Sequence, residues 1–105
     1  SGLHQAILLH RNGAEVTFNA TLLDQPQITH FHQRFLVRTK SGDLLEIDHN
    51  VDLAEQIPLH SGDQLLIHGQ LYLDPEMGGV HCTHQHTSRG CPQPGFILFH
   101  GHTYD

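Results

Sequence analysis

From Glu15 to Leu22 the chain alternates without an error: Val16, Phe18, Ala20 and Leu22 are apolar, Glu15, Thr17, Asn19 and Thr21 polar. That period of two predicts a half-buried strand. Upstream, Leu3, Ala6, Ile7 and His10 follow helical spacing, so a short helix is expected over Leu3 to Arg11, with Asn12-Gly13 as its stop. Asp24-Gln25-Pro26-Gln27 breaks the first strand and opens a loop to about Phe31. In a second strand Phe35 and Val37 alternate with Arg34 and Arg38. Ser41-Gly42-Asp43 is turn chemistry, and Leu45 and Ile47 begin a third strand that completes a hairpin.

Between Asp48 and Ile57 the pattern changes. Asn50 or Asp52 can cap a short helix, and Pro58 limits it. After the Ser61-Gly62-Asp63 turn, Leu65, Ile67, Gly69, Leu71 and Leu73 share one face of a long fourth strand, where Gly69 marks a bend or bulge. Asp74 to Gly79 reads as a hairpin loop, Val80 to His84 as a fifth strand, Phe96 to Phe99 as one more short strand, and Gly101 to Asp105 as a tail. Three strands, a helix and two strands form the order of an all-β, five-stranded OB-like Greek-key barrel. Its helical elements are the short N-terminal helix and a short helix between strands three and four. A six-stranded SH3-like or split barrel is the competing architecture. The 105 residues allow one modest core, hence a single domain over 1–105.

Charge narrows the partners. Five Lys and Arg against eleven Asp and Glu leave −6 with histidines neutral, which disfavours a polyanion. Protonating all twelve histidines reverses the sum to +6, and free imidazole titrates near pH ~6.5. No apolar run approaches the roughly 20 residues that span a bilayer. Ser1-Gly2 reads as a processed start, so an export signal would already be gone. Two cysteines separated by eight residues suit a disulfide and an oxidising compartment, and the same count suits free or metal-bound thiols.

Chemistry concentrates in Val80-His81-Cys82-Thr83-His84-Gln85-His86-Thr87-Ser88-Arg89-Gly90-Cys91. On a strand, Cys82, His84 and His86 would share one face. Two imidazoles at i and i+2 can hold one ion, so His84, His86 and His102 form a candidate set for zinc or copper. The spacing matches no standard zinc finger. A second candidate is the outer face of strands two and three, where OB folds hold ligands. His32, Arg34, Leu36 and Arg38 would line one strand and Leu44, Glu46 and Asp48 its neighbour, with His30, Phe31, Glu76 and Met77 in the flanking loops. Arg34 and Arg38 are expected to pair with Glu46 and Asp48 across the hairpin. The third is Asp48-His49-Asn50, which reads either as the start of a metal-nuclease motif with His49 as base or as local turn chemistry. No Gly-x-Ser-x-Gly and no glycine-rich phosphate loop is present.

One resemblance spans most of the chain after Asn12. It is carried by His32-Gln33-Arg34-Phe35, His49-Asn50-Val51-Asp52-Leu53-Ala54, Gly62-Asp63, Gly69 with Tyr72, Gly78-Gly79-Val80-His81, Thr83-His84, and Gly101 with Thr103-Tyr104. In these the chain resembles a family of small bacterial proteins known only as a domain of unknown function. The resemblance implies an OB-like fold and a periplasmic home, and supplies no activity. The chain departs from the family pattern at Cys82, where tryptophan is expected, and at Cys91. Two departures occurring together favour a Cys82–Cys91 bridge. The expectation is a small exported binding module with a surface of His32, Arg34, Arg38, His49 and His81 and a histidine-rich loop for a transition metal. Its ligand would be a small molecule, a metal or a protein. Alternatives are a metal-dependent nuclease or hydrolase using His49 and His81, and a nucleic-acid-binding OB domain.

Overall fold

The computed structural model describes residues 2–105. Helix α1 (Gly2–Leu8) precedes eight strands: β1 (Glu15–Leu22), β2 (Gln27–Thr29), β3 (His32–Arg38), β4 (Leu44–Asn50), β5 (Gln64–Leu73), β6 (Gly78–His81), β7 (Phe96–Phe99) and β8 (His102–Tyr104). Five of them close into a barrel in the order β1-β3-β4-β6-β5, with β5 returning to β1. The β1–β5 seam is antiparallel and long, running from Glu15↔Gln70 to Thr21↔Gln64. The β4–β6 seam is parallel, from Leu45↔Gly78 to Ile47↔Val80. One parallel seam in an otherwise antiparallel closed sheet is the Greek-key closure of the OB-like arrangement.

Alternation supplies the core directly. Val16, Phe18, Ala20 and Leu22 point inward from β1, Phe35 and Val37 from β3, Leu45 and Ile47 from β4, and Leu65, Ile67 and Leu71 from β5. Leu3 and Ala6 of α1, together with Ile57 and Leu59, complete the same cluster. The β1–β5 register passes through Gly69 without interruption, so there is no bulge at that seam. Along its other edge β5 pairs with β7 up to His68 and with β6 from Gln70. At this exchange a Cβ on Gly69 would lie 2.5 Å from the His81 carbonyl oxygen and 2.7 Å from a Val80 methyl. The glycine permits close approach of two strands.

Several boundaries differ from the sequence pattern, each for a local reason. Helix α1 stops at Leu8, ahead of Asn12-Gly13. His10 takes the left-handed conformation (φ 54), and the His10 and Arg11 amides donate back to the Ile7 and Ala6 carbonyls, a Schellman stop without glycine. The helix expected between strands three and four is only a single turn, in which the Ala54 amide donates to the Asn50 carbonyl at 3.1 Å. Beyond it the backbone is captured by Gln33, which exchanges two hydrogen bonds with Ile57. Strand β6 ends at His81 instead of His84, because Cys82 is left-handed (φ 59) and turns the chain out of the sheet. The loop after β1 contains the short strand β2 against β3, and the C-terminal tail contains β8 against β7.

The segment after β6 folds back onto β5 at Gly95. A Cβ there would overlap the Cys82 carbonyl oxygen and stand 2.6 Å from that of His68. Both obstacles are backbone and cannot rotate away. Gly95→Ala is therefore expected to cost roughly 1–3 kcal/mol, read as a lower urea midpoint at unchanged m-value.

Candidate ligand site on the outer face of the barrel

Parity along β3 turns His32, Arg34, Leu36 and Arg38 outward, and along β4 it does the same for Leu44, Glu46, Asp48 and Asn50. The register sets Arg34 opposite Asp48 and Leu36 opposite Glu46. Strand β6 follows with Gly79 beside Glu46, and β5 sets Tyr72 opposite Gly79. Because Gly79 has no side chain, the Tyr72 ring lies in the space a Cβ would fill. Reaching over the glycine, Tyr72 Oη donates to Asp48 Oδ2 at 2.7 Å. The His81 ring meets Tyr72 edge-on at 5.2 Å, and its Nε2–H donates to Gln70 Oε1 at 2.8 Å.

The electrostatics of this floor are unbalanced. Asp48 Oδ1 is sealed from solvent and has no hydrogen-bond partner. Its nearest cation is Arg34, whose Nε stands at 3.6 Å, an ion-pair distance but too long for a hydrogen bond. Burial raises the pKa of Glu46 above the ordinary carboxyl value, and the neighbouring Asp48 raises it further. Burial, and then the Asp48 carboxylate, push the Tyr72 phenol strongly up, so it remains a donor at any physiological pH. Burial lowers His81, with Asp48 partly opposing.

Two hollows meet at Glu46. One, of about 510 Å³, is bounded by Asp24, His30 and Arg34; the other, of about 200 Å³, by Tyr72, Asp74, Glu76 and Met77. Met77, which lines the smaller hollow, is an exposed apolar side chain. The result is an acid-rich groove between the 23–31 and 74–77 loops. Its carboxyl groups can accept hydrogen bonds and positive charge.

The residues singled out from sequence separate into distinct places. Arg34, His32 and His81 lie on this outer surface. Arg38 stands opposite Leu44 and lines a different hollow, so the second cross-hairpin ion pair does not form. His49 is not on the surface at all: it is 0% exposed. Its Nε2–H donates to the Glu55 carbonyl at 2.8 Å, leaving Nδ1 to accept from the Thr83 hydroxyl at 2.7 Å. Both ring nitrogens are thus committed to holding the fold.

The metal set is likewise dispersed by the end of β6. His84 is buried, with Nδ1–H donating to the His86 carbonyl at 2.7 Å and Nε2 facing Cys91 Sγ at 3.7 Å. His86 is exposed. His102 contacts Glu55 at 3.2 Å and meets Tyr104 edge-on. Among the described residues no three His, Cys, Asp or Glu side chains converge as an ion site. Cys82 and Cys91 form a disulfide with Cα atoms 5.4 Å apart, which removes both thiolates. Tyr72 is the floor residue that the pattern did not single out. Its signal is the pairing of a tyrosine and a glycine at matched distances from one hairpin loop.

His49 makes stability depend on pH. Burial lowers its pKa below the ordinary 6.5 of the unfolded chain. Between those two values the unfolded state binds more protons, so stability is full above pH ~6.5 and falls as pH drops toward the folded value, by up to about 1.4 kcal/mol per pH unit per proton. Urea unfolding at pH 7.5 and pH 5 checks this. His49→Gln should be less stable at pH 7.5 yet lose less on acidification.

Among the described residues no helix is long and apolar enough to cross a membrane. No curated protein and no solved structure matches the chain. A family model does match, over residues 4–105, and the chain belongs to the family described as Protein of unknown function (DUF3465).

Proposed function

We propose that this domain is a binding module whose ligand enters the groove over Glu46, Asp48 and Tyr72 and carries positive charge. The observation that carries the reading is the sealed Asp48 Oδ1, a carboxylate oxygen without a hydrogen-bond partner beside a second carboxyl of raised pKa. An unpaired buried acceptor is costly, and a charged donor arriving there recovers that cost. Asp24, Asp74 and Glu76 around the two hollows extend the same sign of charge to the entrance. Met77, exposed and lining the smaller hollow, suits the apolar part of an amine- or guanidinium-bearing ligand. The Cys82–Cys91 bridge supports an oxidising, exported setting for this work. Zinc or copper at His84, His86 and His102 has weaker support, since His84 is buried and engaged at one nitrogen by a carbonyl. Nuclease chemistry through His49 and His81 has less still, because His49 has no free nitrogen.

Calorimetric titration with spermidine at low salt tests the proposal, with uncharged maltotriose as the comparison. Spermidine should bind one to one while maltotriose does not. Glu46 attracts the cation only when ionised, so affinity should rise with pH through the Glu46 titration and lose that part of its pH dependence in Glu46→Gln. Asp48→Asn should weaken binding about tenfold or more, the equivalent of one charge-assisted hydrogen bond. Equal binding of maltotriose, or spermidine binding indifferent to both substitutions, overturns the assignment.

A further inference from the structure

A further hollow, of about 710 Å³, lies on the other side of the barrel and has the opposite sign. It crosses the outer surface of four neighbouring strands, β3, β1, β5 and β7. Three strand spacings make that path roughly 14 Å long. The register arranges its floor in two rows. Arg38, Thr21 and Gln64 form one; Asn19, Leu66 and Leu98 form the other. The 39–40 segment walls one end and the His100-Gly101 turn the other, with both turn residues left-handed (φ 50 and 75).

Arg38, Lys40 and His100 line this hollow and no Asp or Glu does, whereas both hollows that meet at Glu46 contain acids. That is two of the five Lys and Arg in a chain of net charge −6. Neither Arg38 nor Lys40 has an ion pair or side-chain hydrogen bond among the described residues, while Arg34 is drawn to Asp48. The floor beside them is leucine-rich: Leu23, Leu66 and Leu98. A cationic end joined to an apolar shelf matches a molecule with one anionic head and an apolar body. The net negative charge disfavours a long polyanion, whose many phosphates would meet the whole surface, and leaves a single-headed anion unaffected beyond a Debye length. A guanidinium fork next to an ammonium suits a carboxylate. The volume falls within the range of small-molecule sites.

We propose that this hollow is a second binding site, for a carboxylate with a medium-length hydrocarbon chain, its head held by Arg38 and Lys40 and its chain lying across Leu66 and Leu98. The site is independent of the groove over Glu46 and goes beyond the cation-binding reading.

The test is calorimetric titration of the whole domain with sodium decanoate below its micelle concentration, alongside decanol, which lacks the charge, and acetate, which lacks the chain. Decanoate should bind one to one, with decanol and acetate weaker by roughly tenfold or more. Arg38→Gln combined with Lys40→Gln should weaken decanoate by at least about tenfold, and Leu66→Asn should weaken it through the chain alone. Arg89→Gln, which removes an exposed cation in the 82–91 loop, should leave binding unchanged. Absence of saturable binding, equal binding of decanol, or an equal loss in Arg89→Gln overturns the proposal.

Discussion

A neutral imidazole sealed in the core ties a strand to two stretches of backbone that the sheet does not reach. His49 belongs to β4, its donor is spent on Glu55 in the irregular excursion after that strand, and its acceptor is met by Thr83 beyond the end of β6. Gln33 does the same work one strand away, exchanging two hydrogen bonds with Ile57. Without them the 51–63 excursion would carry buried peptide groups with no ladder to satisfy them. With them, Ile57 and Leu59 are delivered to the core as a plug. Histidine suits the position because one ring offers a donor and an acceptor at opposite ends. Burial then keeps it neutral.

The outer face depends on an absence of bulk. Gly79 lets the Tyr72 ring lie flat across β6 and bring its hydroxyl to Asp48 on the next strand. One strand position therefore decides whether three strands share a polar floor or present three separate rows. Once Tyr72 donates to Oδ2, Arg34 is left 3.6 Å from Oδ1, and that second oxygen stays without a hydrogen-bond partner. The raised pKa of Glu46 follows from the same crowding. Packing and electrostatics are thus one arrangement here, set by the four-residue loop Asp74–Met77 and the register it imposes.

Much of this was legible in the pattern of residues, and the misses have physical reasons. Strict alternation placed β1, β3, β4 and β5 and the inward set from Val16 to Leu71. Three-residue strands such as Gln27–Thr29 and His102–Tyr104 are too short for a period to declare itself. The helix after Asn50 was signalled by a cap that does form: the Asn50 side chain accepts from the Asp52 and Leu53 amides. Gln33 wins the next stretch of backbone, a tertiary contact no local reading contains. The motif Asp48-His49-Asn50 suggests a surface role for His49, although parity with Leu45 and Ile47 assigns it inward. A shared face for Cys82, His84 and His86 requires a strand through them, and the left-handed Cys82 ends the strand before that face can form. Composition concentrated the imidazoles; it could not aim them.

The disulfide belongs to this same chain of dependence. Residues 82–95 have no strand to hold them, so chain entropy favours their release. Closing the short loop between Cys82 and Cys91 offsets roughly 2.5–3 kcal/mol of that tendency in a chain-entropy estimate. What the bridge retains is specific: Thr83, immediately after Cys82, is the hydroxyl that His49 requires, and Gly95 packs against the Cys82 carbonyl. His81, immediately before, ends the strand that carries Gly79 and edges against Tyr72. A bond between the sulfurs of the buried Cys82 and the half-buried Cys91 thereby holds in register both the buried imidazole inside the barrel and the acidic floor outside it.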